Sequence, residues 1–168
     1  HSGYLNTVKN AFIYTSKKFN MTPNESELEK WDENWQNLSP FPEVSDGLNT
    51  LSKKFALIAL SNGEQKFLNH LCNNRIKFNF QKIISVEEVS SFKPHSGVYR
   101  KASLISGYKL SEIMMISANT FDTLGAKSCG MEAAYIDRYN LPYEECHEML
   151  KPDYVVKDFT ELANKLVD

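Results

Sequence analysis

The chain has 168 residues, is 42% hydrophobic and carries a formal charge of −2. That length suits one compact domain with a substantial core. Lysines and glutamates are scattered together with no basic stripe, which speaks against nucleic acid as a partner, and no apolar stretch is long enough to span a bilayer. No n-region, h-region and cleavage site opens the sequence, and three cysteines without paired spacing, Cys72, Cys129 and Cys146, fit a chain kept reduced in the cytoplasm. Cys146-His147 are neighbours with no other metal-ligand spacing around them, and read as ordinary helix residues.

Residues 3–19 predict a helix with Leu5, Val8, Phe12 and Phe19 near one face and Lys9, Lys17 and Lys18 largely off it. Thr22-Pro23-Asn24 breaks the chain. Residues 25–37 predict a second, more polar helix whose Trp31 and Trp35, at i and i+4, are expected to pack against a neighbour. Ser39-Pro40-Phe41-Pro42 is a stiff connector, because each proline disfavours helix in the residue before it. It marks a boundary between residues 1–38 and 39–168.

Beyond it the pattern alternates. Helices are predicted at 43–53, 64–74, 95–106, 121–129 and 159–167, and apolar strand runs at 55–60, 82–86, 113–116, 133–136 and 154–156. Short continuous apolar runs between helical segments are strands buried on both faces. Repeated βα units make an α/β fold with a parallel sheet flanked by helices.

Three strings at strand ends carry the chemistry, since ligands of open parallel sheets collect beyond the strand tips. In Ser61-Asn62-Gly63 a serine after an apolar run can offer its hydroxyl and the turn N–H groups to an anion, or can simply cap a helix. Lys93-Pro94 places a lysine beside a proline in the first helical turn, aimed at a crevice or at solvent. In Ser117-Ala118-Asn119-Thr120-Phe121-Asp122, Asp122 either caps the next helix or acts as a base on a water, and Asn119 can donate to a substrate oxygen or a departing halide.

The ordered set Ser61-Asn62-Gly63, Lys93-Pro94-x-x-x-Val98-Tyr99 and Ser117-Ala118-Asn119-x-Phe121-Asp122-x-x-Gly125-Ala126 resembles the haloacid dehalogenase superfamily, and within it the type II L-2-haloacid dehalogenases. Pro40-Phe41-Pro42-Glu43-Val44 and Ile136-Asp137-Arg138 extend the resemblance. It implies a Rossmann-like, haloacid dehalogenase-like core over 39–168 and part of a helical cap over 1–38. It also implies a site in which Ser61 and Asn62 hold the substrate carboxylate and Lys93 pairs with a nucleophilic aspartate. Tyr99 and Ser117 would orient the site, Asn119 would contact substrate and Asp122 would help activate water. Phe121 stands where family members often carry tryptophan, on the substrate wall. The implied chemistry displaces halide from C2 of a 2-haloacid by aspartate, giving an ester that water opens. It needs no metal or other cofactor. Phosphatases of the superfamily place a second acid four residues before the position of Asp122 to hold magnesium; here that residue is Ala118, and one carboxylate is a poor magnesium site.

The resemblance also implies an Asp-x-x-Gly-Thr-like nucleophile string upstream of Ser61, and these residues hold none. Asp32 and Asp46 sit in helical settings, Asp153 in a turn and Asp137 after a different strand. The expectation is an N-terminally shortened dehalogenase, inactive in this form, with a central strand missing between those ending at Ser61 and Ile116. Three consequences follow: the exposed inner edges pair with each other, with a second copy in a homodimer, or with a retained peptide; Lys93, lacking its carboxylate, holds an anion such as sulfate, phosphate or acetate; and a non-catalytic binding or assembly module stands as the alternative to the enzyme.

Overall fold

A computed structural model describes residues 3–144 and 147–167, with Glu88 described by its backbone alone. Cys146 therefore lies outside the described residues. His147 is not inside a helix: its Nδ1 accepts the Met149 N–H and caps a short 3-10 turn, Glu148–Leu150.

Helices α1 (Tyr4–Lys18) and α2 (Glu25–Gln36) form an antiparallel pair. Phe12 stacks on Trp31 at 5.8 Å, Tyr4 meets Trp35 edge-on at 6.0 Å, and Lys9 pairs with Asp32 at 2.6 Å. Asn24 and Glu27 open α2 with a reciprocal capping box, which supplies the helix start at about 1 kcal/mol. The pair sits on the rest of the chain through Trp35 against Phe67, His70 Nε2 donating to the Gln36 carbonyl, and the Leu5 N–H donating to Glu64. Glu64 precedes α4 (Gln65–His70) but caps α1, while Glu87 accepts the Gln65 N–H in its place.

Five described strands run parallel within two sheets. β1 (Ile58–Ser61) pairs with β2 (Lys82–Ser85). β3 (Met114–Ser117), β4 (Glu132–Ile136) and β5 (Tyr154–Val156) form the second sheet in that order. Each strand falls inside or within a residue of its predicted run; β1 begins only at Ile58, leaving Phe55 and Ala56 exposed outside it. The predicted helix 64–74 ends early as an α-helix, because residues Leu71–Ile76 shift to a π-turn.

The second sheet is covered on both faces. On one side α3 (Val44–Leu51) and α7 (Phe159–Val167) bring Leu51, Leu162 and Ala163 onto Ala134, Ile136 and Val156. Gly47 lets the two helices touch, since a Cβ there would lie 2.7 Å from the Phe159 Cβ. On the other side α5 (Ser96–Ser106) and α6 (Thr120–Ser128) bring Tyr99 and Ala126 onto Met115 and Met131. This alternation along β3 and β4 explains their unbroken apolar runs.

β1 and β3 do not pair. Between them lies a cavity of about 630 Å³ whose walls include Leu57, Ile58, Leu60, Met114, Ile116 and Phe80. Among the described residues no helix is long and apolar enough to cross a membrane.

Candidate active site

Ser61 ends β1, and the chain turns at once: the Gly63 N–H donates to Ser61 Oγ at 3.2 Å. Asn62 Oδ1 accepts the Lys93 N–H at 2.7 Å. Because that donor is a backbone amide, the Asn62 oxygen is fixed toward it and its NH2 group faces away. Ser117 ends β3 in the same manner, its Oγ accepting the Asn119 N–H at 3.1 Å. Each of these side chains thus accepts a backbone proton and keeps a donor to offer an anion.

Lys93 ties the two sheets together at their tips. Its Nζ donates to the Leu60 carbonyl of β1 at 3.1 Å and to Asp122 Oδ2 of α6 at 2.6 Å. The pair is secluded, the side chains being 11% and 4% exposed. Tyr99, fully buried, donates its hydroxyl to Asp122 Oδ1 at 2.9 Å. Burial first, then the charge and hydrogen bond of Asp122, push the Tyr99 phenol far above its ordinary value, so it remains a neutral donor.

This arrangement corrects two expectations. Lys93 is not left without a carboxylate, because Asp122 reaches it. Pro94 does not lie in the first helical turn either. The Lys93–Pro94 peptide is cis, α5 starts at Ser96, and His95 caps it through Nδ1.

Asp122 lies in the first turn of α6 but caps nothing with its side chain. The N-cap is Asn119, whose carbonyl accepts the Asp122 and Thr123 N–H groups while its side chain makes no capping bond and is exposed. Phe121, 40% exposed, stands beside it. Of the eight residues singled out from the sequence, Asn62, Lys93, Tyr99 and Asp122 share one hydrogen-bond network. Ser61, Ser117 and Phe121 occupy the adjoining turns without a described side-chain bond into it, and Asn119 joins it through its carbonyl alone, which accepts the Asp122 N–H.

Two participants gave no usable sequence signal. The Leu60 carbonyl is a backbone group and has no residue signature. Gly125 reads as a motif member only, yet a Cβ there would meet Tyr99 Oη at 2.6 Å and Pro94 Cβ at 2.8 Å. Gly125→Ala is therefore expected to cost about 1–3 kcal/mol by overpacking, lowering Tm by roughly 2–4 °C per kcal/mol. It should also push Tyr99 off Asp122. Thermal melts check it, and an unchanged Tm would show that the wall yields freely.

Residues 4–136 match the family described as haloacid dehalogenase-like hydrolase. Haloacetate dehalogenase H-2 of Moraxella sp. (strain B) is 30% identical over 149 residues, which are 88% of this chain and 66% of that protein. The (S)-2-haloacid dehalogenase of Pseudomonas fluorescens is 27% identical over 170 residues, 98% of this chain and 74% of that protein. The solved structure of the L-2-haloacid dehalogenase from Xanthobacter autotrophicus with chloropropionic acid covalently bound superposes with a TM-score of 0.81 at 26% identity, covering 93% of this chain and 72% of that one. The chain spans about two thirds to three quarters of the length of the relatives it matches. With most of its residues inside the matched span, it belongs to the haloacid dehalogenase-like hydrolases.

Proposed function

We propose that the protein hydrolyses the carbon–halogen bond of an L-2-haloacid, with the nucleophilic aspartate carried at the end of a strand that fills the slot between β1 and β3. The observation that carries this reading is the position of Lys93. Its ammonium has three protons; two go to Leu60 and Asp122, and the third is available at the C-terminal mouth of the slot. A carboxylate arriving there would complete a triangle with one cation between two anions.

The roles follow from the donors left over. Ser61 O–H and the Asn62 NH2 group would take the substrate carboxylate, while Asn119, exposed beside Phe121, would contact the C2 substituent. The aspartate would attack C2, a C–O bond forming as the C–halogen bond breaks and halide departs with its electron pair. Water, oriented by Asp122, would then open the ester to a 2-hydroxyacid and release the aspartate, with one proton lost to solvent. A carboxylate accepts about four hydrogen bonds, so Asp122 retains lone pairs for that water beside Lys93 and Tyr99. Tyr99 and Ser117 would orient the site.

The same geometry weighs against a phosphatase. Ala118 supplies no second acid, and the Lys93 ammonium stands 2.6 Å from the one carboxylate oxygen a magnesium ion would need.

The slot supports a strand as its occupant. The cavity is about 630 Å³ and apolar-walled. On this reading the 168 residues alone release no halide from L-2-chloropropionate, and a longer form that supplies the strand and its aspartate does so with or without EDTA. Halide release by the 168 residues alone would overturn the reading, as would phosphatase activity that depends on magnesium. A strand-bearing form that binds 2-haloacids without turnover would favour a binding module.

A further inference from the structure

The two sheets are bridged at their tips by Lys93 and, independently, along the end of α4 and its π-turn, by the connector between α2 and α3. At its start the connector is held by Arg75, from the π-turn that follows α4 on the β1–β2 side. Arg75 Nη2 donates to the Asn37 carbonyl at 2.8 Å and to Ser39 Oγ at 2.9 Å, and Nε donates to the Leu38 carbonyl at 2.9 Å. At its end the connector is held by Arg138, the second residue past β4 on the other side. Arg138 Nη2 donates to Glu43 Oε1 at 2.6 Å, and the guanidinium lies 3.8 Å over the Phe41 ring. Pro40 stands between the two grips and Pro42 within the second, and their rings fix φ.

We propose that Arg75 and Arg138 are positioning residues: gripping opposite ends of residues 37–43, they make the connector a strut that sets the spacing between the α4 side of the first sheet and the C-terminal tip of β4 in the second. Both grips are of a kind that holds direction as well as distance. A guanidinium presents several donors in a rigid planar fork, and stacking on an aromatic face adds a second constraint on Arg138. The strut also orients the α1–α2 pair, because α2 ends where Arg75 takes hold. Its consequence for catalysis rests on the reading of the crevice given above, since Ser61 and Asn62 lie on one sheet's tip and Ser117 and Asn119 on the other's.

A strut transmits, whereas two local contacts do not. Hydrogen exchange of the intact chain, wild type against Arg75→Gln and Arg138→Gln, separates the cases. Either substitution is expected to speed exchange about tenfold at the bonded amides on both ends of the connector, Asn37 at its start and Val44 and Gly47 at its end, including the end it does not touch. The pair of substitutions together should do little more than one. Acceleration confined to the nearer end in each variant, or effects that simply multiply in the double variant, would overturn the proposal. Phe41→Leu and Glu43→Gln remove the Arg138 grip from the connector's side and serve if Arg138→Gln does not fold. In a turnover-competent form, Arg138→Gln should raise KM for L-2-chloropropionate several-fold with a smaller change in kcat, and Arg138→Lys should not restore it. An unchanged KM with connector-wide exchange would leave the strut standing and count against the crevice as the reaction site.

Discussion

Lys93→Met is expected to lower Tm by about 10 °C and to abolish halide release in a turnover-competent form. The physical reason is the seclusion of Asp122, whose side chain is 4% exposed. Removing the ammonium leaves a buried carboxylate with Tyr99 as its remaining side-chain donor. Breaking a buried pair from one side typically costs about 3–5 kcal/mol, and a chain of this size loses roughly 2–4 °C per kcal/mol. The Leu60 carbonyl loses its donor as well. Asp122→Asn is the informative contrast, because it removes the charge but keeps one acceptor oxygen for Lys93, while Tyr99 can accept from the new NH2 group and donate to the backbone carbonyl of residue 122. It should cost less stability and still eliminate ester opening, a water-activating step that needs a base. The double change Lys93→Met/Asp122→Leu should recover much of the lost stability, since apolar replacement of both partners is often near neutral. Differential scanning calorimetry of the three variants checks this. A Lys93→Met Tm within 2 °C of wild type would mean that the pair seen here does not hold the two tips together.

What was legible in the sequence follows from what leaves a local trace. Apolar runs bounded by polar turns located the strands because β4 is buried on both faces, and Ala133, Ala134, Tyr135 and Ile136 all show it. The start of β1 was less visible: Phe55 and Ala56 are apolar yet exposed, and burial alone distinguishes them from Ile58. The π-turn at Leu71–Ile76 is a one-residue change in hydrogen-bond partner, with no compositional signature. In the site, the residue types at the tips were readable, but their partners were not. Lys93 meets Asp122 across 29 positions and Arg138 meets Glu43 across 95. Nothing in spacing could say that Lys93 would turn to Asp122 rather than stand alone. Glu64 and Glu87 make the same point: Glu64 stands where a cap for α4 is expected but serves α1, and Glu87 serves the start of α4 from 22 positions away.

An extended peptide with a continuous apolar run ending in aspartate is expected to raise Tm by about 5–10 °C when present at a hundredfold excess over its Kd. Binding to the native state alone stabilises by about 2.7 kcal/mol at that excess, and the conversion above gives the shift. The argument is one of unpaired backbone. β1 pairs on one side with β2, and β3 on one side with β4, so each presents its other edge to the slot. A strand entering there can pair on both sides at once and merge the two sheets into one, while its side chains meet Leu60 and Ile116. Its last residue then arrives beside Lys93. Two controls make the result specific. A peptide with proline at its centre lacks one N–H and should bind much more weakly, because both edges need the ladder. A peptide ending in asparagine should fill the slot but forgo the charge on Lys93, so its affinity should stay flat as ionic strength falls while that of the aspartate form rises. If the proline peptide binds as well as the parent, the slot is an apolar cleft and not a strand acceptor. If the chain sediments as a dimer that the peptide dissociates, a second copy occupies the same edges in its absence.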